Sequence, residues 1–317
     1  MELSRRRALR VLGAMGLIAA VPACSASLAG TRLRVATGGT QGVYFALGTA
    51  LGAAWQAALA LEVAPEVIAT AGSRENIGLL AAGQVDVAFS QLDTAADQLA
   101  GAGPGGPYGL RALARIHDDV VHVVVPAASP ITTLAGLRGA RVSVGEEGSG
   151  VSDIAHRLLA VAGLSPSDLR AEELGINDSV TAMRDGNLDA FFWSGGLPTD
   201  GVTELARSAP IRLLDLSDVL AAVRARFPVY MSVTVPASTY GIPDPVHTLF
   251  VRNVLLVPAA MSDDLAETLT ATLFAAQERL AQATPAALTI DTRSAIGTQP
   301  VPLHPGAERY YRTSKVG

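Results

Sequence analysis

The sequence contains one cysteine, few aromatic residues and, after residue 23, no long apolar run. The single cysteine, Cys24, excludes an intramolecular disulfide. No later stretch reaches the roughly 18 uncharged apolar residues that a membrane-spanning helix needs. The nearest candidate, 246–261, is interrupted by Arg252 and Asn253, so we expect no membrane span in the mature chain. The mean hydropathy of +0.33 therefore reflects alanine-rich helices.

Two common enzyme motifs are also absent, because the chain has no Gly-x-Ser-x-Gly and no His-Glu-x-x-His. His117 and His122 are five residues apart and would face opposite sides of a strand. The acidic pairs Asp118-Asp119 and Glu146-Glu147 are interpreted as solvated, since charged side chains are mostly exposed. We therefore expect a protein that is not an enzyme and that holds no metal and no cofactor.

The N-terminus has the organisation of an export signal. Arginines at 5, 6, 7 and 10 precede an apolar run over 11–23, which is too short to span a bilayer. Residues 1–23 are interpreted as a signal peptide of either the twin-arginine or the general secretory type. Its removal takes away four Arg and one Glu, so the net charge falls from −5 to −8. This balance disfavours nucleic acid as a partner.

Cys24 directly follows Val21-Pro22-Ala23, which resembles a bacterial lipobox, although Pro22 is a departure. We expect a lipid on Cys24 to anchor the exported protein to the outer face of the cytoplasmic membrane through a tether over 24–31. Cleavage just beyond Cys24, which would leave a free periplasmic or extracellular protein, is the alternative.

Two glycine-rich turns each join a short predicted strand to a helix. The first turn, 38–42, follows the strand 33–37, and the second turn, 145–150, follows the strand 141–144. Backbone N–H groups at such a helix start lie unpaired beside the positive end of the helix dipole. They can hold a small anion without Arg or Lys. Neither turn matches a P-loop or a dinucleotide fingerprint.

A second pair of segments recurs in the same order. Residues 83–89 resemble 186–192, each a Gly-x-x-Asp unit that runs into an apolar strand after a helix. The repeat predicts two related α/β lobes with a ligand cleft at the carboxyl ends of their strands. We place lobe I at 32–118 plus 229–317 and lobe II at 119–228. Extended segments over 110–116, 120–126 and 229–236 are predicted to cross between the lobes, and such crossings permit hinge closure.

Several segments of the sequence resemble those of a known protein family. Thr37–Phe45 is similar to the opening of the TAXI receptors, the extracytoplasmic solute-binding proteins associated with TRAP transporters. The similarity continues through most of the mature chain in short segments, at 73–76, 121–124, 144–150, 189–192, 195–198, 236–240 and 302–308. Ser90 and Val151 depart from the family's common residues.

The resemblance implies a periplasmic-binding-protein fold of type II, with two α/β lobes joined by a two-strand hinge. It implies capture of a small organic acid or amino acid, with glutamate-like carboxylates prominent. It further implies delivery of this solute to a TRAP permease of the fused large and small subunit type. We expect a monomer. A receptor for an ATP-driven importer and a ligand sensor for a membrane kinase remain open alternatives.

The candidate ligand-binding residues lie at the turns and strand ends of both lobes. They are Gly39, Thr40, Tyr44, Ser73, Asn76, Gln91, Ser149, Gly150, Trp193 and Ser194. Backbone N–H groups of the turns would take a carboxylate, and Tyr44 would offer a hydroxyl or a wall. Tyr44 and Trp193 are also compatible with core positions, and Ser73 and Asn76 with helix capping. Arg74 is the nearest cation to the first cluster.

Overall fold

The computed structural model describes residues 30–102 and 109–314. The predicted signal peptide and the predicted lipidation site at Cys24 lie outside these residues. Within them, no helix combines the length and the apolar character that a membrane crossing requires.

The described chain forms a mixed α/β structure. The strands are β1 (Arg34–Ala36), β2 (Glu66–Ile68), β3 (Val87–Gln91), β4 (Leu110–Pro126), β5 (Arg141–Ser143), β6 (Arg170–Glu172), β7 (Ala190–Gly195), β8 (Ile211–Leu213), β9 (Met231–Val235) and β10 (Val246–Pro258). The helices are α1 (Val43–Leu59), α2 (Ser73–Ala81), α3 (Leu92–Ala102), α4 (Gly150–Val161), α5 (Ile176–Arg184), α6 (Asp200–Ser208), α7 (Leu220–Arg226), α8 (Asp263–Ala275), α9 (Gln277–Ala283) and α10 (Pro305–Ser314).

The strands form one continuous sheet in the order β2-β1-β3-β10-β4-β7-β5-β6. At one end β1 pairs in parallel with β2 and β3, and at the other end β5 pairs in parallel with β6 and β7. The long strands β4 and β10 lie antiparallel in the middle and connect the two parallel groups. The structure thus confirms the predicted fold class, a type II periplasmic-binding-protein fold with two α/β lobes and a two-strand connection.

Strand β4 differs from its prediction. We expected two extended segments separated by a solvated turn at 117–119, but β4 runs unbroken for 17 residues. Its Asp118 and Asp119 pair with Arg252 and Val251 of β10. The central position of β4 between β10 and β7 therefore overrides the local preference of Asp-Asp for a turn.

The sequence repeat has a structural basis in two matched ion pairs. The Asp86 carboxylate accepts hydrogen bonds from the backbone N–H of Arg34 at 2.8 Å and from the Arg34 guanidinium at 3.2 Å. Asp189 accepts the same bonds from Arg141, at 2.8 Å from the backbone N–H. Each arginine also donates to the carbonyl of the Gly that begins the repeat unit. Each Gly-x-x-Asp unit thereby fixes the start of the first strand of its lobe.

The core of the first lobe forms where α1 packs against the sheet and against α8. Trp55 is fully buried, and its Nε1 donates to the Leu269 carbonyl at 3.1 Å. Gly48 permits the close approach of α1 to β1, because a Cβ there would lie 2.5 Å from Thr37 Cγ2. This packing holds the N-terminus of α1 at the carboxyl edge of the sheet, where the predicted ligand edge lies.

Candidate solute-binding cleft

A cavity of about 290 Å³ lies between the two lobes. The first lobe lines it with the turn before α1, with Gly72 and Ser73, and with the end of β3. The central strand β4 provides the floor. The second lobe contributes 145–151, 173–178 and 193–195. The cavity thus collects both predicted glycine turns and two further segments.

The first turn and the start of α1 place two of their three candidate residues at the cavity. Gly39 and Tyr44 line the cavity, but Thr40 is exposed and does not line it. Helix α1 has no side-chain cap at Gly42 and no acidic residue in its first turn. Its first N–H groups are therefore available to a ligand anion in the cavity.

Tyr44 belongs both to the cavity wall and to a buried polar cluster. Its hydroxyl donates a short hydrogen bond to Asn253 Oδ1, and its ring centroid lies 5.3 Å from that of Phe89. The His117 ring stands edge-on to it at 5.8 Å. Burial raises the pKa of the Tyr44 hydroxyl, so this group is a neutral donor. Asn253 on β10 was not among the predicted site residues.

Ser73 and Asn76 have different roles. Ser73 lines the cavity, and its Oγ accepts the Gln91 backbone N–H at 2.9 Å. Asn76 is fully buried away from the cavity and donates to the carbonyls of Thr37 and Phe89. Asn76 therefore ties the ends of β1 and β3 together, and neither residue caps α2 with its side chain.

The N-terminus of α2 is capped by the opposite lobe. The backbone N–H groups of Arg74 and Glu75 donate to the Gly148 carbonyl at 3.1 and 3.2 Å. Arg74, the cation expected near the site, forms a short ion pair with Asp153 of α4 and does not line the cavity. These contacts cross the cleft and hold the two lobes together.

Gln91 joins the lobes at the centre of the cleft. Its Nε2 donates to Ser194 Oγ at 2.9 Å and to Asp119 Oδ2 at 3.2 Å. Its Oε1 is buried without a hydrogen-bond partner in the described chain. Gly150 makes this position possible, because a Cβ on residue 150 would lie 2.0 Å from Gln91 Oε1.

His117 and Asp119 form the floor of the cavity and correct a sequence prediction. We expected Asp118-Asp119 to be solvated, but Asp119 is only 5% exposed and His117 only 1%. His117 Nε2 lies 3.1 Å from Asp119 Oδ1. Positions i and i+2 of a strand face the same side, so the His-x-Asp spacing was the signal for this pair. This spacing could be interpreted only with the knowledge that β4 continues through residues 117–119.

The second turn positions Ser149 and Gly150 at the cavity wall, as predicted. Ser149 accepts the Ser152 N–H at 3.2 Å and donates to the Glu146 carbonyl at 2.6 Å, so it is the N-cap of α4. Ser152, a plausible N-cap from the sequence because Asp153 follows it, lies inside the helix instead. Glu146 and Glu147 are exposed, and Glu146 also lines the cavity.

Trp193 and Ser194 line the cavity from β7. Trp193 is half-buried, and its Nε1 donates to Thr199 Oγ1 at 3.0 Å. The neighbouring segment 173–178 was not among the candidate residues. The helix expected before the second Gly-x-x-Asp unit, which the sequence pattern indicates over 179–185, begins earlier, at Ile176 with Gly175 as N-cap. The earlier start brings a second uncapped helix N-terminus to the cavity.

The charged side chains that line the cavity are all acidic. Four carboxylates line the cavity, from Asp119, Glu146, Glu173 and Asp178, and none of the described lining residues is Lys or Arg. The electrostatic environment therefore combines helix N-termini, which favour anions, with carboxylates, which favour cations.

A cleft between two α/β lobes that are joined by two central strands defines the class of periplasmic binding proteins. Three solved structures share the fold over most of their length. The periplasmic aliphatic sulphonate binding protein SsuA from Escherichia coli is 17% identical, with 89% of this chain and 82% of that chain covered at a TM-score of 0.50. A protein from Bordetella bronchiseptica RB50 is 21% identical, with 86% and 83% covered at a TM-score of 0.54. A structure described as a periplasmic transporter is 15% identical, with 90% and 93% covered at a TM-score of 0.53.

The family model of the NMT1-like family matches residues 35–314. This match spans almost the whole described chain, and the chain belongs to the NMT1-like family.

Proposed function

We propose that this protein is an extracytoplasmic solute receptor that captures a small organic acid or amino acid between its lobes. The observation that carries the proposal is the cavity between the lobes, at which Gln91 of one lobe meets Ser194 of the other. Convergent polar groups in a cavity of this kind are typical of small-molecule sites. Two of the three similar solved structures are described as a binding protein and a periplasmic transporter, and this supports a role without catalysis.

A carboxylate of the solute would bind at the N-terminus of α1. Gly39, Gly42 and Tyr44 surround this position, and the helix start lacks a protein cap. A carboxylate there gains the unpaired N–H groups and the positive end of the dipole. The glutamate-like class itself rests on the TAXI resemblance.

The receptor would hand its solute to a membrane transporter. The resemblance to TAXI receptors favours a TRAP permease of the fused type, which is driven by an ion gradient. A receptor for an ATP-driven importer, which would share the fold class and the export signal, is the second candidate. A sensor that presents the solute to a membrane kinase is the third. Export, monomeric state and a lipid on Cys24 complete the proposal.

An uptake assay distinguishes these partners. Cells of the source organism with and without the gene are given a labelled solute that binds the purified protein. We expect the gene to be required for uptake, and an ionophore that dissipates the ion gradient should abolish uptake while ATP is maintained. Loss of uptake on ATP depletion with the gradient intact identifies an importer. Uptake that does not depend on the gene contradicts a transport role and favours the sensor.

A further inference from the structure

The floor of the cleft holds a buried carboxylate that no Arg or Lys of the described chain neutralises. Asp119 is 5% exposed, and no Arg or Lys of the described chain forms an ion pair with it. Its contacts are His117 Nε2 at 3.1 Å and Gln91 Nε2 at 3.2 Å. A buried carboxylate is costly unless it is paired, and neither an amide nor an imidazole matches an ammonium as a counter-charge.

Two other buried carboxylates of the described chain show the contrast, because each is paired with an arginine: Asp153 with Arg74, and Asp93 with Arg157. Asp93 on α3 is also buried, but Arg157 lies 2.5 Å away and Tyr230 donates to it at 2.6 Å. A buried carboxylate that does not line the cavity is therefore neutralised by an arginine of the protein itself. Asp119 differs because it faces the cavity.

Unpaired polar atoms surround the same position. Gln91 is 3% exposed and His117 is 1% exposed, and both line the cavity. Gln91 Oε1 and both ring nitrogens of His117 have no hydrogen-bond partner in the described chain, so the 3.1 Å approach of His117 Nε2 to Asp119 is not a hydrogen bond. Buried polar groups are normally satisfied, so these atoms indicate that a ligand group completes the floor.

A metal ion does not fit this position. Among the described residues, no group of three His, Cys, Asp or Glu side chains is arranged to hold one. An organic ammonium needs only one carboxylate and neutral acceptors for its three N–H donors. Asp119 supplies the carboxylate, and Ser73 and Ser194 line the same cavity with hydroxyl acceptors. The three other lining carboxylates add attraction for positive charge.

We propose that the solute carries a protonated amine, which binds the Asp119 carboxylate on the cleft floor. This inference rests on the proposed receptor function and narrows its ligand class. An amino acid with one carboxylate would place that carboxylate at α1 and its amine at Asp119. A dicarboxylate without an amine would leave Asp119 unpaired and meet repulsion from the acidic lining.

Matched pairs of probes test the proposal. Isothermal titration calorimetry on the ligand-stripped protein compares L-glutamate with glutarate, L-alanine with propionate, and 4-aminobutyrate with butyrate. The amine-bearing member of at least one pair should bind about tenfold or more tightly than its amine-free twin. In Asp119→Asn this ratio should fall to about one. The control is Asp118→Asn, which removes the same charge one residue away on a side chain that pairs with Arg115 and does not line the cavity.

Each result decides the proposal. The wild-type ratio needs no variant, so the test remains valid if Asp119→Asn fails to fold. Equal or tighter binding of the amine-free twins overturns the amine but leaves the receptor function standing. A ratio that persists in a folded Asp119→Asn protein overturns the role of Asp119. Binding by no member of any pair contradicts both the amine and the proposed capture of small acids and amino acids.

Discussion

Gln91 Nε2 donates a hydrogen bond of 2.9 Å to Ser194 Oγ, and this bond joins the end of β3 to β7 across the cleft. The two residues occupy corresponding strand ends in the two repeats. One side chain therefore contacts the cavity, the floor and the opposite lobe, because Gln91 Nε2 also donates to Asp119.

Gln91→Ala should weaken solute binding about tenfold. The substitution removes the hydrogen bonds from Gln91 to Ser194 and Asp119, which join the lobes around the cavity. Each such bond is worth about 0.5–1.5 kcal/mol, so the closed arrangement that holds the solute is weakened, and about 1.4 kcal/mol corresponds to a factor of ten in Kd. Calorimetric titration of the solute against wild type and variant measures this change. Gln84→Ala, an exposed position away from the cavity, is the control. Unchanged affinity in Gln91→Ala would remove Gln91 from the site.

Two glycines of α1 should respond in opposite directions to alanine. A Cβ on residue 48 would lie 2.5 Å from Thr37 Cγ2, whereas the nearest atoms to a Cβ on residue 52 lie at 3.6 Å. Gly48→Ala should therefore cost about 1–3 kcal/mol through overpacking. Gly52→Ala should be neutral or stabilise by up to about 1 kcal/mol through helix propensity. Urea unfolding measures both, and destabilisation by Gly52→Ala equal to that by Gly48→Ala would contradict this packing.

Stability should fall between about pH 6.5 and pH 4 because of His122. Burial lowers the pKa of His122 to about 4 from 6.5. Its Nδ1 donates to the Val120 carbonyl at 2.8 Å, and its Nε2 accepts from the Tyr240 hydroxyl at 3.0 Å. The unfolded chain takes up a proton on this residue first as the pH falls, so stability is complete above the unfolded pKa and is lost toward the folded one.

The difference between the two pKa values corresponds to a loss of about 3 kcal/mol at most. Urea unfolding at several pH values should give a shallower decline for His122→Gln than for wild type. His156→Gln is the matched control, because the His156 side chain is exposed on α4 and forms no ion pair among the described residues. An identical decline in wild type and His122→Gln would show that this histidine does not set the acid limit.

Arg157 should be needed to hold α4 against α3. Its guanidinium bonds Asp93 and Asp97 and also contacts the Tyr230 hydroxyl at 2.5 Å. Burial raises the pKa of Asp93, and Arg157 opposes this effect. Arg157→Met leaves the buried Asp93 charge unpaired and should cost about 3–5 kcal/mol. The double variant Asp93→Asn/Arg157→Met should recover part of this loss in urea unfolding. No recovery would mean that Arg157 acts through packing alone.

The two-lobe α/β architecture could be predicted from the sequence because short local patterns indicate its strands, turns and helices. Hydrophobic strands, glycine turns and the Gly-x-x-Asp repeat predict two α/β lobes without any knowledge of long-range contacts. The arginines that explain the repeat, Arg34 and Arg141, stand at equivalent positions but bond to residues about 50 positions away. Their partners could be inferred only once the strands were paired.

The site was less accessible because burial is a tertiary property. His117 and Asp119 read as polar and turn-forming, yet the neighbouring strands of β4 bury both. Asn76 was predicted to contact the ligand or to cap its helix, but its amide donates hydrogen bonds to carbonyls at the ends of β1 and β3. Thr40 was predicted to contact the ligand from the first glycine turn, but its side chain is exposed. The sequence pattern thus predicted which edge of the sheet carries the candidate site. The direction in which each side chain points could be determined only from the three-dimensional structure. The lobe boundaries at 118 and 229 and the lipid on Cys24 stay predictions.

The most direct test of the receptor function is thermal unfolding of the ligand-stripped mature protein against a panel of small solutes. The panel includes glutamate, glutamine, other amino acids, 2-oxoglutarate, dicarboxylates, sugars and metal cations. A ligand that binds only the folded state raises Tm in a concentration-dependent way. The account predicts such a rise with at least one organic acid or amino acid, and its reduction in Gln91→Ala. A rise only with sugars or metal cations, or with nothing in the panel, would contradict it.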